Sequence, residues 1–111
     1  MRKLFIAAFM FVSSFGSNVM ADGHAIKMGI ILGFTGPIES LTPAMAASAE
    51  LAFKEASDSG SLLGGKYIKA VRADSTCVDS AAATAAAEGL ISDGVAAIMG
   101  ADCSGVTGAI A

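Results

Sequence analysis

Three short apolar stretches recur along the chain and predict the strands of a buried sheet. The first, 26–32, is an almost continuous apolar run that ends at Gly33. The second covers 67–73 and the third covers 95–99. Apolar runs of this length are typical of parallel strands that are covered on both faces.

The segment after the first strand has a helical pattern. Thr42 followed by Pro43 predicts a helix start, with the threonine hydroxyl as N-cap and proline at the first helical position. The helix should end near residue 56, and its predicted inner face consists of Met45, Ala49, Ala52, Phe53 and Ala56. A Ser- and Gly-rich turn follows at 57–65, in which Leu62 and Leu63 are expected to form an apolar plug.

Two further helices are predicted downstream. Asp79 or Ser80 should cap a helix over 81–91, which is dominated by alanine and can therefore lie close to a sheet. Ser104 is predicted as the N-cap of a third helix that continues towards Ala111.

Strand and helix patterns alternate, which predicts an α/β fold in which crossover helices join the strands of a parallel sheet. Such a Rossmann-like sheet binds ligands beyond the carboxyl ends of its strands. Those ends are 33–37, 74–77 and 100–104. We therefore expect functional residues where these three loops meet.

Residues 1–21 have the pattern of a cleaved secretory signal peptide. Arg2 and Lys3 form a positive start, the apolar run over 4–15 is short for a membrane span, and small residues precede the cleavage position. This interpretation places 22–111 in the periplasm. The alternatives are a signal anchor or a buried core helix, which the short run and the cleavage pattern disfavour.

The charge of the chain argues against a nucleic-acid partner. Ten acidic and seven basic residues give a net charge of −3, and Arg2 and Lys3 lie in the predicted signal peptide. The rest of the chain is therefore more acidic, whereas a nucleic-acid surface requires a basic patch.

The two cysteines, Cys77 and Cys103, lie in the predicted exported part. An even number of cysteines in an oxidising compartment predicts a disulfide. A zinc site is disfavoured because two thiols and the distant His24 make a poor ligand set, and a catalytic thiol lacks a nearby base. No cofactor is expected, since the sequence has neither a dinucleotide-binding nor a Walker motif.

Several residues in fixed order characterise the chain as a whole, namely 26–32, Thr35-Gly36-Pro37, 49–55, 60–66, Asp74, Cys77, Leu90-Ile91, 95–100, Cys103-Ser104 and Thr107. In this order they resemble the periplasmic substrate-binding proteins of the leucine/branched-chain amino-acid type, which serve ABC transporters. The resemblance implies the type I periplasmic binding protein fold, no enzymatic activity, an amino acid as ligand and a membrane permease as partner. Family members often carry a disulfide between the second and third strand-to-helix loops. Since their full proteins have two lobes, 22–111 is expected to be a truncated N-terminal part of the first lobe.

Ser104 is the main candidate site residue. At a helix start, its hydroxyl would lie beside free backbone amides, which suits an anion such as the α-carboxylate of an amino acid. The resemblance implies the same contact for Ser104 and for the backbone of Cys103. Thr35 and Gly36 either line the cleft from the first loop or belong to a tight turn before the first helix. Thr107 either faces the ligand or completes a cap.

Three functions are compatible with the sequence. The first is a binding component of an ABC transporter for an amino acid or for a related small carboxylate or amide. The second is the ligand-binding ectodomain of an extracytoplasmic sensor, and the third is an exported α/β enzyme. The enzyme is disfavoured because no base is placed beside a nucleophile. Asp74 either orients a ligand or hydrogen-bonds loop amides, and Asp102 receives no role.

Overall fold

The computed structural model describes residues 25–111, so the predicted signal peptide lies outside the described residues. Within that range the elements are β1 Ala25–Leu32, α1 Thr42–Asp58, a 3-10 turn Leu62–Gly64, β2 Tyr67–Asp74, α2 Ser80–Ser92, β3 Ala97–Gly100 and α3 Ser104–Ile110. The predicted alternation of strands and helices is confirmed.

The three strands form one parallel sheet in the order β2-β1-β3. The register places Ile30 of the central strand beside Arg72 of β2 and Met99 of β3. Ile30, Ile31 and Leu32 are almost completely buried, because helices cover β1 from both sides. The first apolar run therefore forms the doubly covered strand that its pattern predicts.

The helices lie on opposite faces of the sheet. On one face Ile30 packs with Ala46 of α1, and on the other Ile31 packs with Ala87 and Leu90 of α2. In the order β2-β1-β3, the connection from β1 to β2 through α1 runs towards one edge of the sheet, and the connection from β2 to β3 through α2 runs towards the other edge. Because both connections are right-handed crossovers, this reversal of direction places α1 and α2 on opposite faces.

α2 lies close to the sheet because β1 carries a glycine beneath it. A Cβ added at Gly29 would lie 2.9 Å from Cδ1 of Leu90 and 3.2 Å from Cγ1 of Ile98. Ala87, one turn before Leu90, is buried in the same cluster as Leu90 and Ile31 of β1. The expected close packing of the alanine-rich helix is therefore confirmed.

The predicted cap of α1 is wrong. Leu41 occupies the N-cap position, and no side chain caps this end of the helix. Thr42 is the first helical residue, is fully buried and donates its hydroxyl to the carbonyl of Gly33 at 3.0 Å. A tertiary hydrogen bond has thus replaced the local cap that the sequence favours.

The inner face of α1 is only partly the predicted one. Ala49 and Phe53 pack against the sheet as expected, and Ala46 is fully buried between them and the helix start. Met45 is 45% exposed and Ala52 is also exposed. The buried Thr42 fixes the helix rotation, so the inner positions follow it at helical spacing.

Two further details differ from prediction. β3 begins at Ala97 rather than at residue 95, because the amide of Val95 donates to the Leu90 carbonyl and completes the end of α2. In the 3-10 turn Leu62 is half-buried whereas Leu63 is 71% exposed. The expected apolar plug therefore involves Leu62 without its neighbour.

Candidate functional site

Three loops meet at the carboxyl ends of the strands. We call 33–41 the first loop, 75–79 the second loop and 101–103 the third loop. Hydrogen bonds, a close backbone contact and a disulfide join them. The loops therefore come together as the parallel topology predicts.

Asp74, the last residue of β2, connects the first loop to the second. One carboxylate oxygen accepts the Thr35 hydroxyl at 2.6 Å, and the other accepts the Thr76 amide at 2.8 Å. Burial alone would raise the pKa of Asp74, but these hydrogen bonds outweigh burial and hold the pKa below the ordinary value of 3.8. Of the two roles considered for Asp74, the structure supports the one within the loops.

Asp102 contacts both other loops, although the sequence suggested no role for it. Its Oδ2 accepts the amide of Gly33 at 2.8 Å, and its Oδ1 lies 3.5 Å from the hydroxyl of the fully buried Ser75. These partners are 69 and 27 positions away in sequence, so no local motif could indicate them. The one sequence feature that could have pointed to Asp102 is its position, since it is an acidic residue just beyond the carboxyl end of the third predicted strand.

The predicted disulfide is confirmed. Cys77 in the second loop is bonded to Cys103 in the third, and their Cα atoms are 5.2 Å apart. Since Cys103 directly precedes α3, the disulfide fixes the start of that helix against the second loop.

Gly36 marks a close approach between the first and second loops. Its φ is +95°, and an added Cβ would lie 2.5 Å from the carbonyl oxygen of Thr76. Both the backbone conformation and the lack of space require glycine here. The close approach observed at Gly36 is therefore to the neighbouring loop.

The start of α3 differs from the prediction by one position. Cys103 is the N-cap residue and no side chain caps the helix, because the Cys103 sulfur is held in the disulfide. Ser104 is the first helical residue and is exposed. The Thr107 hydroxyl donates to the carbonyl of Cys103 at 2.9 Å, so it does not complete a cap.

The start of α2, by contrast, is capped. The Asp79 carboxylate accepts the amides of Ala81 at 2.9 Å and Ala82 at 3.0 Å, which confirms the first of the two predicted caps. A negative side chain at this end also suits the helix dipole. Of these two helices, α3 alone begins with amides that no side chain accepts.

An ion pair supports the first loop beside the core. Arg72 of β2 donates from Nε and Nη2 to the carboxylate of Glu50 on α1, at 2.6 and 2.8 Å. These hydrogen bonds and the charge of Arg72 lower the pKa of Glu50. The guanidinium carbon lies 5.5 Å from the ring centre of Phe34, which directly precedes Thr35 in the first loop.

Within residues 25–111 the loops enclose no ligand-sized cavity. The same range contains no group of three or more His, Cys, Asp or Glu side chains placed to hold a metal ion. None of the described helices has the length and apolar character needed to cross a membrane. The three loops thus present an open surface of hydroxyl groups, carboxylates and backbone amides.

A family model described as periplasmic binding protein matches residues 25–111, the whole of the described range. The chain belongs to this periplasmic binding protein family. The family identified from the ordered sequence motifs is therefore confirmed, together with its α/β fold.

Among solved structures, this periplasmic binding protein is similar to LivJ from Streptococcus pneumoniae, a branched-chain amino acid transporter substrate-binding protein determined in complex with isoleucine. The two are 29% identical, and their structures superpose with a TM-score of 0.68. The similarity covers 78% of this chain and 24% of LivJ, so the chain spans about a quarter of that protein. A comparison with curated proteins gives no significant match.

Proposed function

We propose that this chain is the solute-binding component of an ABC transporter for a branched-chain amino acid, or for a related small carboxylate or amide. The observation that carries the proposal is the similarity to LivJ, a transporter binding protein that holds isoleucine. Membership of the periplasmic binding protein family supports a periplasmic location and a binding role without catalysis.

In this proposal, 1–21 is a cleaved signal peptide and 22–111 is the N-terminal part of the first of two lobes. The similarity covers 24% of LivJ, which is consistent with 22–111 being one part of such a protein. Ligand binding would then involve hinge closure of the two lobes, followed by docking on a membrane permease.

We place the ligand carboxylate at the start of α3, beside Ser104 and the backbone of Cys103. The hydroxyl of Ser104 and the uncapped amides of this first turn are hydrogen-bond donors, and the residues that directly precede them are joined to the other two loops. An α-carboxylate is the part of an amino acid that such donors accommodate.

The remaining proposed contacts come from the first loop and from the next turn of α3. Thr35 is exposed, and its hydroxyl oxygen can still accept a hydrogen bond after donating to Asp74. That acceptor suits an α-ammonium group. Gly36 brings the first loop against the second, and Thr107 holds the Cys103 carbonyl one turn further along α3.

Titration calorimetry with L-isoleucine, carried out on the two-lobed protein that this proposal implies, tests both the ligand and the site. Ser104→Ala should weaken binding by about tenfold, because one hydrogen bond to a charged group is lost. Ser80→Ala is the matched control, since Ser80 occupies the same first position of α2, whose amides Asp79 already accepts. Equal affinity in the two variants would refute the site, and a protein that binds neither a branched-chain amino acid nor a related small carboxylate or amide would refute the function.

A further inference from the structure

The first and third loops leave the sheet in opposite directions. The first leads into α1 on one face, and the third leads into α3, which packs with α2 on the other face. Such a divergence between neighbouring strands opens a crevice at the end of a parallel sheet. In the strand order observed here, that crevice lies between β1 and β3.

One carboxylate crosses this crevice. Among the contacts found within residues 25–111, the hydrogen bond from the Gly33 amide to Asp102 is the one polar link between the first and third loops. The second loop reaches the third through the disulfide and through Ser75. The relative position of the first and third loops therefore depends on Asp102 more than on any other polar side chain there.

The Asp102 carboxylate is held by neutral donors. The donors to this carboxylate are the Gly33 amide and the Ser75 hydroxyl, and neither the Lys54–Asp58 nor the Arg72–Glu50 ion pair includes Asp102. A half-buried carboxylate is costly unless it accepts hydrogen bonds, and bonds to an ionised acceptor are stronger than neutral ones. Asp102 therefore favours the geometry in which Gly33 and Ser75 both point towards it.

We propose that Asp102 is a positioning residue that fixes the first loop relative to the start of α3, and so preorganises the ligand site. The part that concerns ligand affinity rests on the proposed function. Asp102 directly precedes Cys103, which is proposed to contact the ligand carboxylate. Gly33 lies two positions before Thr35, which is proposed to contact the ammonium group. The hydrogen bond between Asp102 and Gly33 therefore sets the distance between the two halves of the proposed site. A site held in its binding geometry loses less entropy when the ligand enters.

The test compares Asp102→Ala with Asp102→Asn, using the exposed Asp93→Ala as the matched control. Amide hydrogen exchange is measured at Gly33 and Thr35, with Ile30 in the centre of the sheet as the internal reference. Asp102→Ala should raise exchange at Gly33, which loses its acceptor, by about tenfold relative to Ile30. Exchange at Thr35 should rise by a smaller factor, because its amide donates to Asp74 at 3.3 Å and is affected only when the loop moves. Asp102→Asn should restore much of the protection, because its amide oxygen still accepts the Gly33 bond. An equal rise at Ile30 would mean general destabilisation and would overturn the positioning role.

Isoleucine affinity gives the second readout. Asp102→Ala should weaken binding by about tenfold, with Asp102→Asn intermediate and Asp93→Ala unchanged. Faster loop exchange with unaltered affinity would overturn the preorganising effect. If the unmodified two-lobed protein binds neither isoleucine nor a related small carboxylate or amide, the proposed function fails together with the affinity claim. Exchange at Gly33 and Thr35 then still decides whether Asp102 positions the loops.

Discussion

Replacing Cys77 and Cys103 together by alanine should strongly destabilise the fold. The two residues are 26 positions apart, and the disulfide closes a loop of that length in the unfolded chain. The chain-entropy relation gives a restriction of about 12 cal/mol/K for such a loop, or about 3.5 kcal/mol at 25 °C. We expect the double variant to lose about that much of its free energy of unfolding.

Urea unfolding followed by circular dichroism measures this loss. The oxidised chain, the chain reduced with dithiothreitol and the double variant are compared at one pH. If the disulfide acts on the unfolded state, the reduced chain and the double variant should have the same lowered stability. Both should also show a steeper dependence on urea, since an unfolded chain without a cross-link exposes more surface.

The folded loops should survive the loss of the disulfide. Asp102 still links the third loop to Gly33 and Ser75, and Asp74 still links the first and second loops through Thr35. If the reduced chain and the double variant lose less than about 1 kcal/mol of their free energy of unfolding, and their urea dependence is unchanged, the loop-entropy reasoning is refuted. A loss confined to the double variant, and absent from the reduced chain, would instead indicate that the alanine side chains disturb the folded loops.

Two further predictions concern the same loops. Gly36→Ala should destabilise the chain by about 1–3 kcal/mol, because its φ is +95° and its Cβ would meet the Thr76 carbonyl. Gly105→Ala, in α3 with open space around its Cβ, is the control and should stabilise the helix in the same urea assay. The fold lowers the pKa of Asp74, so the ionised carboxylate adds to the free energy of unfolding. That contribution is present above the ordinary pKa of 3.8 and is lost as the pH falls through the lower pKa of the folded state. Asp74→Asn should therefore reduce the decline of melting temperature at acidic pH, and an unaltered decline would contradict this role.

The fold was predictable because burial leaves a periodic record in the sequence. The run 26–32 is apolar at almost every position, and the corresponding strand Ala25–Leu32 is covered on both faces. Alternation with helical patterns then leaves few topologies, all of which bring the carboxyl ends of the strands to one edge. The two cysteines were predictable as a pair from their number and compartment.

The helix starts were less predictable, since local capping competes with tertiary contacts. Thr42 has the residue type and spacing of an N-cap, yet its hydroxyl donates to Gly33 in the first loop. Ser104 also has the right type, but the extended conformation of the disulfide-bonded Cys103 moves the cap position back by one residue. Asp79, one of the two residues predicted to cap α2, does so because its carboxylate accepts the amides of the first helical turn.

The main contact between each pair of loops comes from a different residue or bond, and this follows from the strand order. β1 and β2 are adjacent, so Asp74 at the end of β2 reaches Thr35 in the first loop. The second and third loops emerge from strands that are not adjacent, and a covalent bond between Cys77 and Cys103 spans that larger separation. Between β1 and β3 the chain diverges to opposite faces, so the Asp102 carboxylate is what joins the two sides of the opening. Reduction should therefore loosen the second and third loops, and substitution of Asp74 should loosen the first and second. Substitution of Asp102 should loosen the first and third loops and should also remove the weaker contact with Ser75 of the second loop.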